Sequence, residues 1–274
     1  MLKTSTLKII EKGELKYIKF PKIDALGITN HAFSTRLGGV STGIFSSMNL
    51  SFNRGDEREN VLENYKRLCD AENISTENLV LSCQTHTNNV KIVTREHCGT
   101  GITKPSFSDV DGLITNERQV ALVTQYADCT PLVFCDPVKK VIATSHAGWR
   151  GTVKEIGKVT VEKMCSHFGC EPQDIIVGLG PSIDKCCYEV DDPVFNEFKK
   201  LEYLDLESIF SAKGGGKYML NLVEANRQIL INAGILPHNI DCSDICTCCN
   251  SDSLHSHRAS KGQRGNLALI IELK

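Results

Sequence analysis

The feature that most constrains the fold is a series of short apolar runs, each four or five residues long, separated by turn-forming residues. Runs of this length that are rich in Val, Ile and Leu predict buried β-strands. The predicted strands are Asn89–Val93, Val120–Thr124, Leu132–Cys135, Val141–Thr144, Ile175–Gly178 and Leu267–Ile271. They are interleaved irregularly with helical segments, without the steady βαβ order of a doubly wound sheet. The sequence therefore predicts an α+β (mixed α/β) fold with at least one well-covered sheet.

Three segments have the periodicity of amphipathic helices. The spacing of Asp56 and Glu59 is typical of a capping box, and the apolar side chains that follow fall on one helical face. The other two predicted helices span Thr152–Phe168 and Leu222–Ala233, and each is followed by a glycine in a C-cap position. The glycine-rich segment Ser211–Lys217 is predicted to be a flexible loop. Since it lacks the strand–turn–helix setting of a phosphate-binding loop, no chemistry is assigned to it.

Length and charge limit the classes of protein to which the chain can belong. With 274 residues it can bury one substantial core, and we predict a single domain over residues 1–274. The formal net charge is −2, so no general attraction to nucleic acid or to an anionic membrane is expected. Residues 1–20 lack the uninterrupted apolar core of a signal peptide. We therefore expect a cytoplasmic protein, monomeric or homodimeric.

The chain contains thirteen cysteines, an odd number that cannot pair completely within one molecule. In a protein without an export signal, clustered thiols point to metal binding or catalysis rather than to disulfides. Cys246-x-x-Cys249 precedes the pair His255-Ser256-His257, but this second pair lies too close for the usual zinc-finger spacing. The adjacent Cys186-Cys187 would face opposite ways in a strand, so joint ligation is not expected. A second metal within Cys242–His257 is therefore disfavoured but left open.

The residues with the strongest chemical potential are concentrated between Gln84 and Gly151, at predicted strand ends. Cys129 lies in a tight connection between two apolar runs, and His146 closes the next predicted strand. Because the two strands that flank residues 137–140 are expected to be neighbours, Cys129 and His146 should lie close together. With His86 they offer two imidazoles and a thiolate, a set that suits zinc and leaves a fourth coordination position open.

Nine segments distributed over nearly the whole chain match, in order, the motifs of one known family. They are Phe33–Ser41, Asn49–Ser51, Gln84–His86, Asp109–Gly112, Ala127–Cys129, His146–Gly151, Gly180–Ile183, Cys186–Val190 and Ser256–Arg258. Together these motifs make the chain resemble the bacterial YfiH/YlmD-type family, earlier described as laccase-domain or polyphenol oxidase proteins. One departure lies in Lys261–Asn266, where the order of an expected Gly-Arg step is altered, so Arg264 receives no role.

The resemblance implies a fold, an activity and a metal centre. The fold would be a layered α/β/β/α sandwich similar to that of cysteine-hydrolase-like proteins. The implied metal is zinc, with copper as an alternative, held by His86, Cys129 and His146. The implied enzyme is a purine nucleoside phosphorylase that acts on adenosine, inosine and methylthioadenosine, with some adenosine deaminase activity. Its small-molecule partners would be a nucleoside and phosphate.

Further site residues follow from the chemistry of these reactions. Arg36 and Arg150 are candidates to bind phosphate, although a structural ion pair explains either arginine equally well. Deamination would need a carboxylate near the metal to move protons, and Asp111 and Asp128 are nearest in sequence to the predicted ligands. An Asp beside a Gly, as in Asp111-Gly112, is also typical of a turn.

Other functions remain open at this stage. Cys129 could itself be a nucleophile with His86 or His146 as its base, which would suit amide cleavage of a peptidoglycan precursor. Blue copper also uses two His and one Cys, but a laccase needs a trinuclear cluster built from several His-x-His pairs. The chain has eight histidines and only one such pair, so laccase is rejected. A purely binding role in division or envelope regulation is a further alternative.

Overall fold

The computed structural model describes residues 2–274, which form fifteen β-strands and eight α-helices. The strands are β1 (Lys8–Lys12), β2 (Leu15–Lys19), β3 (Thr29–Ser34), β4 (Leu79–Leu81), β5 (Val90–Ile92), β6 (Gly112–Thr115), β7 (Ala121–Tyr126), β8 (Thr130–Asp136), β9 (Val141–Ala147), β10 (Ile176–Leu179), β11 (Glu189–Asp191), β12 (Phe210–Gly214), β13 (Lys217–Leu220), β14 (Ile240–Cys242) and β15 (Leu267–Leu273). The helices are α1 (Pro21–Ala25), α2 (Arg58–Ala71), α3 (Trp149–Val153), α4 (Ile156–Phe168), α5 (Asp192–Lys199), α6 (Leu206–Ile209), α7 (Leu222–Asn232) and α8 (His257–Ser260). Within residues 2–274, no helix has the length and apolar character required to cross a membrane.

Two six-stranded sheets dominate the fold. The first has the strand order β1-β2-β3-β15-β7-β4 and the second β14-β10-β8-β9-β6-β5, while β11, β13 and β12 form a small third sheet. Most neighbouring strands are antiparallel, but β4–β7, β5–β6 and β10–β14 are parallel pairs. The mixed α/β class predicted from the irregular order of strands and helices is therefore confirmed.

The two large sheets face each other across the main hydrophobic core. Leu122 and Leu269 of the first sheet pack there with Val133 and Ile142 of the second. The opposite face of the first sheet is covered by α2, and that of the second by α4 and α7. This arrangement gives the layer order helix, sheet, sheet, helix that the family resemblance implies. The likeness to cysteine hydrolases remains a prediction.

A buried polar network connects the two sheets near the end of β7. The hydroxyl groups of Thr124, on β7, and Thr144, on β9, lie 2.7 Å apart in the otherwise apolar core. The hydroxyl of Tyr126 donates to Thr124 and to the carbonyl of Ser145. Because buried hydroxyl groups are costly when unpaired, this network favours one relative position of the two sheets at this end of the core.

Two helix predictions require correction. The helix predicted over Thr152–Phe168 is divided into α3 and α4, because Glu155 adopts a left-handed conformation with φ of 56°. The predicted capping box is wrong, since the N-cap of α2 is Glu57 and makes no side-chain cap. The carboxylate of Asp56 instead accepts hydrogen bonds from Ser41 and Asn49. Asp56 therefore binds residues that are distant in sequence and does not form the predicted capping box with Glu59.

The glycine-rich segment predicted to be a loop forms a β-hairpin. β12 and β13 pair antiparallel, and the turn between them consists of Gly215 and Gly216. Their φ values of 60° and 71° are those of tight hairpin turns that require left-handed residues at both central positions. The glycines therefore permit a sharp turn rather than a flexible segment.

Candidate metal centre

The pairing of β8 with β9 brings Cys129 and His146 together. Pro131 lies opposite His146 in this antiparallel pair, so Cys129, just before β8, is beside the end of β9. His86 reaches the same point from the segment between β4 and β5. One ligand atom from each of His86, Cys129 and His146 lies within 4.8 Å of the others. The structure thus brings together the three side chains that were predicted to meet.

Cys129 belongs to the segment through which the chain passes from one sheet to the other. Tyr126 ends β7 in the first sheet, and Thr130 begins β8 in the second. Asp128 adopts a φ of 88° there, a conformation unusual for a residue other than glycine. Its carboxylate accepts hydrogen bonds from the Thr247 hydroxyl at 2.6 Å and from the Arg258 amide at 2.7 Å. These contacts hold the turn and therefore the position of Cys129.

Asp111 holds the other two members of the centre. Its fully buried carboxylate accepts from the backbone amides of Thr85, His86 and Thr87 and from the Thr87 hydroxyl, at 2.9–3.0 Å. It also contacts Nδ1 of His146 at 2.9 Å, which leaves Nε2 of that ring for a metal. Both oxygens of Asp111 are thus occupied, so its position suits the orientation of the ligands better than proton transfer.

The centre also requires a residue without a side chain at position 148. A Cβ atom on Gly148 would lie 2.8 Å from Nδ1 of His86 and 2.9 Å from Sγ of Cys129. Such contacts are closer than van der Waals packing permits, so a side chain here would displace the two ligands. The donor set and this close approach fit a small ion with nitrogen and sulfur ligands, as zinc prefers.

We predict that Gly148→Ala lowers the zinc content of the purified protein to less than about half of the wild-type value at this centre. The φ of Gly148 is −72°, so alanine is compatible with the backbone and the effect comes from the added methyl group alone. The amount of zinc per chain is measured by inductively coupled plasma mass spectrometry, and circular dichroism checks that the variant is folded. Unchanged zinc in a folded variant would show that position 148 does not limit the site.

The ionisation of Cys129 and His146 is coupled. Burial on its own raises the pKa of the Cys129 thiol, but the charge and hydrogen bonds of His146 and His86 outweigh it and lower this pKa from 9.0 to about 6. Burial likewise tends to lower the pKa of His146, but Cys129 and Asp111 raise it to about 9. Without a metal, the pair is therefore a thiolate and an imidazolium at neutral pH, and the thiolate needed for metal binding is already present.

In the metal-free protein we predict that alkylation of Cys129 by iodoacetamide is half-maximal near pH 6 instead of near pH 9. A lowered thiol pKa means that the reactive thiolate persists to lower pH and is lost only as the pH falls through the lowered value. The rate is followed by mass spectrometry of the peptide that contains Cys129. His146→Gln should move the midpoint upward, and a midpoint near 9 in the wild-type protein would contradict the assigned thiolate–imidazolium pair.

Two cavities of different character meet at this centre. One, here called the apolar cavity for its walls of Trp149, Ile183, Tyr188 and Leu222, has a volume of about 360 Å³. Charged side chains also line it: Asp128, Arg150, Arg258 and Arg264. The other, of about 270 Å³, is lined mainly by polar residues, among them Arg54. The residues common to both cavities are His86, Ala127, Cys129 and Arg264. A larger cavity of about 590 Å³ lies beside α2 and contacts none of the three candidate ligands.

The remaining predicted site residues occupy different places. Asp128 and Arg150 line the apolar cavity, and the guanidinium of Arg150 lies 4.3 Å from the ring centre of Trp149. Arg36 lines neither cavity. Its guanidinium donates at 2.8 Å to the carbonyls of Ser46 and Ser251. The structure therefore does not bring Arg36 to the site, and its two hydrogen bonds describe a structural residue.

Arg264 is the most informative residue that the sequence analysis left without a role. It is largely buried, and its Nε has no hydrogen-bond partner among the described residues. Burial and the nearby charge of Arg54 lower the pKa of Arg264 to about 10, so the guanidinium remains charged at neutral pH. Tyr188 and His257 also line the apolar cavity. Both belong to motifs that match the family, and this match could have indicated a functional role, but the sequence analysis assigned none to them.

Comparison with known proteins identifies the family of the chain. Residues 30–274 match a protein family described as "Multi-copper polyphenol oxidoreductase laccase". The chain belongs to this family. Within it, the chain resembles the YlmD and YfiH proteins, as the sequence motifs had indicated.

Individual relatives carry the names of enzymes. Purine nucleoside phosphorylase YlmD of Bacillus subtilis (strain 168) is 37% identical over 245 residues, which cover 88% of this chain and 87% of that protein. Adenosine deaminase RL5, from an unknown prokaryotic organism, is 34% identical over 230 residues, or 83% of this chain and 87% of that protein. The crystal structure of the Bacillus licheniformis hypothetical protein YfiH gives a TM-score of 0.92 at 30% identity and covers 98% of this chain and 100% of that chain. The chain is therefore an enzyme.

Proposed function

We propose that the chain is a zinc-dependent purine nucleoside phosphorylase that acts on adenosine, inosine and methylthioadenosine, with adenosine deamination as a second activity. The observation that carries this proposal is the position of His86, Cys129 and His146 where a cavity with aromatic and aliphatic walls meets a more polar one, with arginines lining both. A nucleoside and phosphate have matching characters, since the purine is a flat apolar ring and the co-substrate is an anion. The names of the relatives support the same reaction.

The apolar cavity suits a purine base. Trp149 and Tyr188 offer aromatic surfaces, while Ile183 and Leu222 provide aliphatic ones. Flat heteroaromatic rings bind well to such walls, because they bury apolar surface and stack on aromatic side chains. His257, also in the wall, offers a ring nitrogen that could hydrogen-bond to the departing base.

The positive charge at the meeting point suits phosphate. Within residues 2–274, neither Arg54 nor Arg264 forms an ion pair with a carboxylate. Arg264 is largely buried and lies close enough to Arg54 for their charges to repel. An anion between them would relieve this repulsion, and both guanidinium groups could donate hydrogen bonds to it, since Arg54 and Arg264 line the same polar cavity.

In phosphorolysis, a phosphate oxygen bonds to C1′ of the sugar while the bond from C1′ to the purine nitrogen breaks, and the base takes up a proton. Arg54 and Arg264 would hold the phosphate, and the aromatic walls would hold the base, so that both reactants meet at a fixed distance and orientation. A zinc ion on His86, Cys129 and His146 would supply Lewis acidity at its open coordination position. Asp111 would keep the ligands oriented.

Deamination would use water in place of phosphate and would need a group that moves protons. Asp128 lines the apolar cavity beside Cys129, whereas Asp111 has no exposed surface. Both oxygens of Asp128 accept hydrogen bonds, from Thr247 and from the Arg258 amide, so Asp128 would move a proton only by giving up one of these contacts. One centre could therefore serve both reactions, with the nucleophile chosen by whether phosphate is bound.

We predict that the zinc-loaded enzyme converts adenosine and phosphate into adenine, with some inosine formed by deamination. Cys129→Ala should lower both product yields by about a hundredfold or more. Loss of a residue that only orients a metal ligand typically lowers activity by about 10- to 100-fold, and loss of the ligand itself should cost more. The products are separated by liquid chromatography. If neither product forms, or if the variant and the wild type give equal yields, the nucleoside assignment at this centre is wrong.

We predict that Arg264→Gln raises the KM for phosphate about tenfold or more and changes deamination much less. Loss of a charged hydrogen bond to an anion typically costs enough free energy for such a factor. Initial rates are measured with varied phosphate and saturating nucleoside. Arg36→Gln is the matched control, since Arg36 lines neither cavity and its KM for phosphate should equal that of the wild type. Equal effects of the two substitutions would argue against a phosphate site at Arg264.

A second candidate function has its own support. Cys129, His146 and Asp111 form a thiol–imidazole–carboxylate chain in which the thiol pKa is lowered, as in cysteine hydrolases. Cleavage of an amide in a peptidoglycan precursor would proceed through a thioester on Cys129. A thioester trapped on the metal-free protein would favour this function, whereas a bound metal required for turnover would favour the phosphorylase.

Zinc is proposed here rather than the multinuclear copper that the family description suggests. Within residues 2–274 there are two groups of three or more metal-ligating side chains, and only one of them contains histidines. His255 of the single His-x-His pair is buried away from these groups. Since a trinuclear copper cluster needs several such pairs, these residues do not fit a laccase. A single copper ion at His86, Cys129 and His146 is the alternative to zinc, and analysis of the bound metal would distinguish the two.

A further inference from the structure

Four cysteines from two distant segments form a second group of potential metal ligands. One sulfur atom from each of Cys186, Cys187, Cys246 and Cys249 lies within 4.8 Å of the others. The Sγ atom of Cys249 is 3.3 Å from that of Cys187 and 3.5 Å from that of Cys186, and the last two are 3.8 Å apart. None of these residues belongs to the candidate active site, and the proposed reaction does not use them.

We propose that these four cysteines bind a structural zinc ion. In a tetrahedral site with zinc–sulfur bonds of about 2.3 Å, the sulfur atoms are separated by about 3.8 Å, close to the distances found here. Four thiolates are the usual ligands of closed structural sites that leave no coordination position for a substrate. An iron–sulfur cluster would need wider spacing between some of the sulfur atoms, because its four cysteines are shared among two or more iron atoms. The free sulfurs are also too far apart for an existing disulfide.

The local backbone explains how adjacent cysteines can bind one ion. Cys186 and Cys187 lie in a turn closed by hydrogen bonds from the amides of Cys187 and Tyr188 to the carbonyl of Asp184. The expectation that adjacent cysteines face opposite ways holds for a strand and is wrong for this turn. Both sulfur atoms can therefore point to the same side, as their separation shows.

The second segment is attached to the first by backbone pairing. Ser182 and Cys246 form an isolated β-bridge, and the amide of Thr247 donates to the carbonyl of Ser182. The amide of Asp184 also points at Sγ of Cys246 at 3.5 Å, a contact that stabilises a thiolate. The histidines considered with Cys246-x-x-Cys249 are not part of the group; its other two ligands come from a segment about sixty residues earlier.

The position of this group gives the ion a structural role. Tyr188, which follows Cys187, forms part of the apolar cavity. Arg258, which also lines this cavity and lies 5.4 Å from the ring centre of Tyr188, donates to the carbonyl of Cys187 at 3.2 Å, and Thr247 donates to Asp128 beside Cys129. An ion on the four cysteines would therefore fix the segment that carries Tyr188 relative to the turn that carries Cys129. This role does not depend on the reaction proposed for the active site.

The test is the zinc content of separate variants, each prepared under reducing conditions, saturated with zinc sulfate and desalted. The wild type should retain two zinc ions per chain, and Cys129→Ala should retain one. Cys249→Ser should also retain one, and Cys129→Ala with Cys249→Ser none. Cys248→Ser is the matched control, because Cys248 is adjacent to Cys249 but outside the group, and this variant should retain two.

A single zinc ion per wild-type chain that is lost in Cys129→Ala and kept in Cys249→Ser would overturn the proposal. A Cys187–Cys249 disulfide as the resting state in freshly purified protein, detected by mass spectrometry, would do the same. Should Cys249→Ser fail to fold, cobalt(II) bound to Cys129→Ala supplies an independent readout. Strong thiolate-to-cobalt charge-transfer absorption, with the visible bands of a tetrahedral ion, is expected, and its absence overturns the proposal whether or not the enzyme turns over nucleosides.

Discussion

The buried carboxylate of Asp111 is the interaction on which the geometry of the active centre depends. It binds consecutive backbone amides of the segment that carries His86, and it also contacts the ring of His146. His86 has a φ of 65°, which a histidine rarely adopts without support from its surroundings. Removal of the carboxylate would leave these partly buried donors without their acceptor, an unfavourable change. The centre is therefore largely formed before an ion arrives.

The three donors lie where two cavities meet, one with aromatic and aliphatic walls and one that is more polar, and this arrangement links the fold to the proposed chemistry. The apolar cavity is built by the start of α3 and the segment around Tyr188. The polar cavity includes Arg54 and the residues directly after β4. Only a few residues, Arg264 among them, reach both cavities. A reaction in which an anion displaces a purine from its sugar needs both reactants held at one point, and the two cavities would provide that point.

Much of the fold could be predicted from local sequence. The apolar runs that became β7, β8, β9, β10 and β15 were visible because buried strands need continuous apolar residues. The pairing of β8 with β9 followed from the short connection between them. The passage of the chain between sheets at residues 127–129 was not predictable, since β7 and β8 are close in sequence but belong to different sheets. Local patterns carry no information about which sheet a strand joins.

The candidate site divides in the same way. The candidate ligands His86, Cys129 and His146 could be identified because their motifs resemble those of a known family. Arg264 was missed because its motif departs from the expected order, and only coordinates reveal that it is largely buried with no carboxylate partner among residues 2–274. Arg36 is the reverse case. It belongs to a recognisable motif and was predicted to bind phosphate, but its guanidinium donates to two backbone carbonyls. The four-cysteine group depends on a turn and on contact between distant segments, and neither can be predicted from the spacing of the cysteines in the sequence.

The crossing at residues 127–129 has a thermodynamic consequence. Cys129 lies in the passage from the first sheet to the second, and His86 lies between β4 and β5, which also belong to different sheets. An ion held by both would therefore connect these two crossings at one edge of the core. A ligand that binds only the folded chain contributes its binding free energy to folding. The thermal midpoint of the protein would then rise and fall with the free zinc concentration around it. Scarcity of the metal would therefore reduce the amount of folded enzyme, as well as the activity of each molecule that remains.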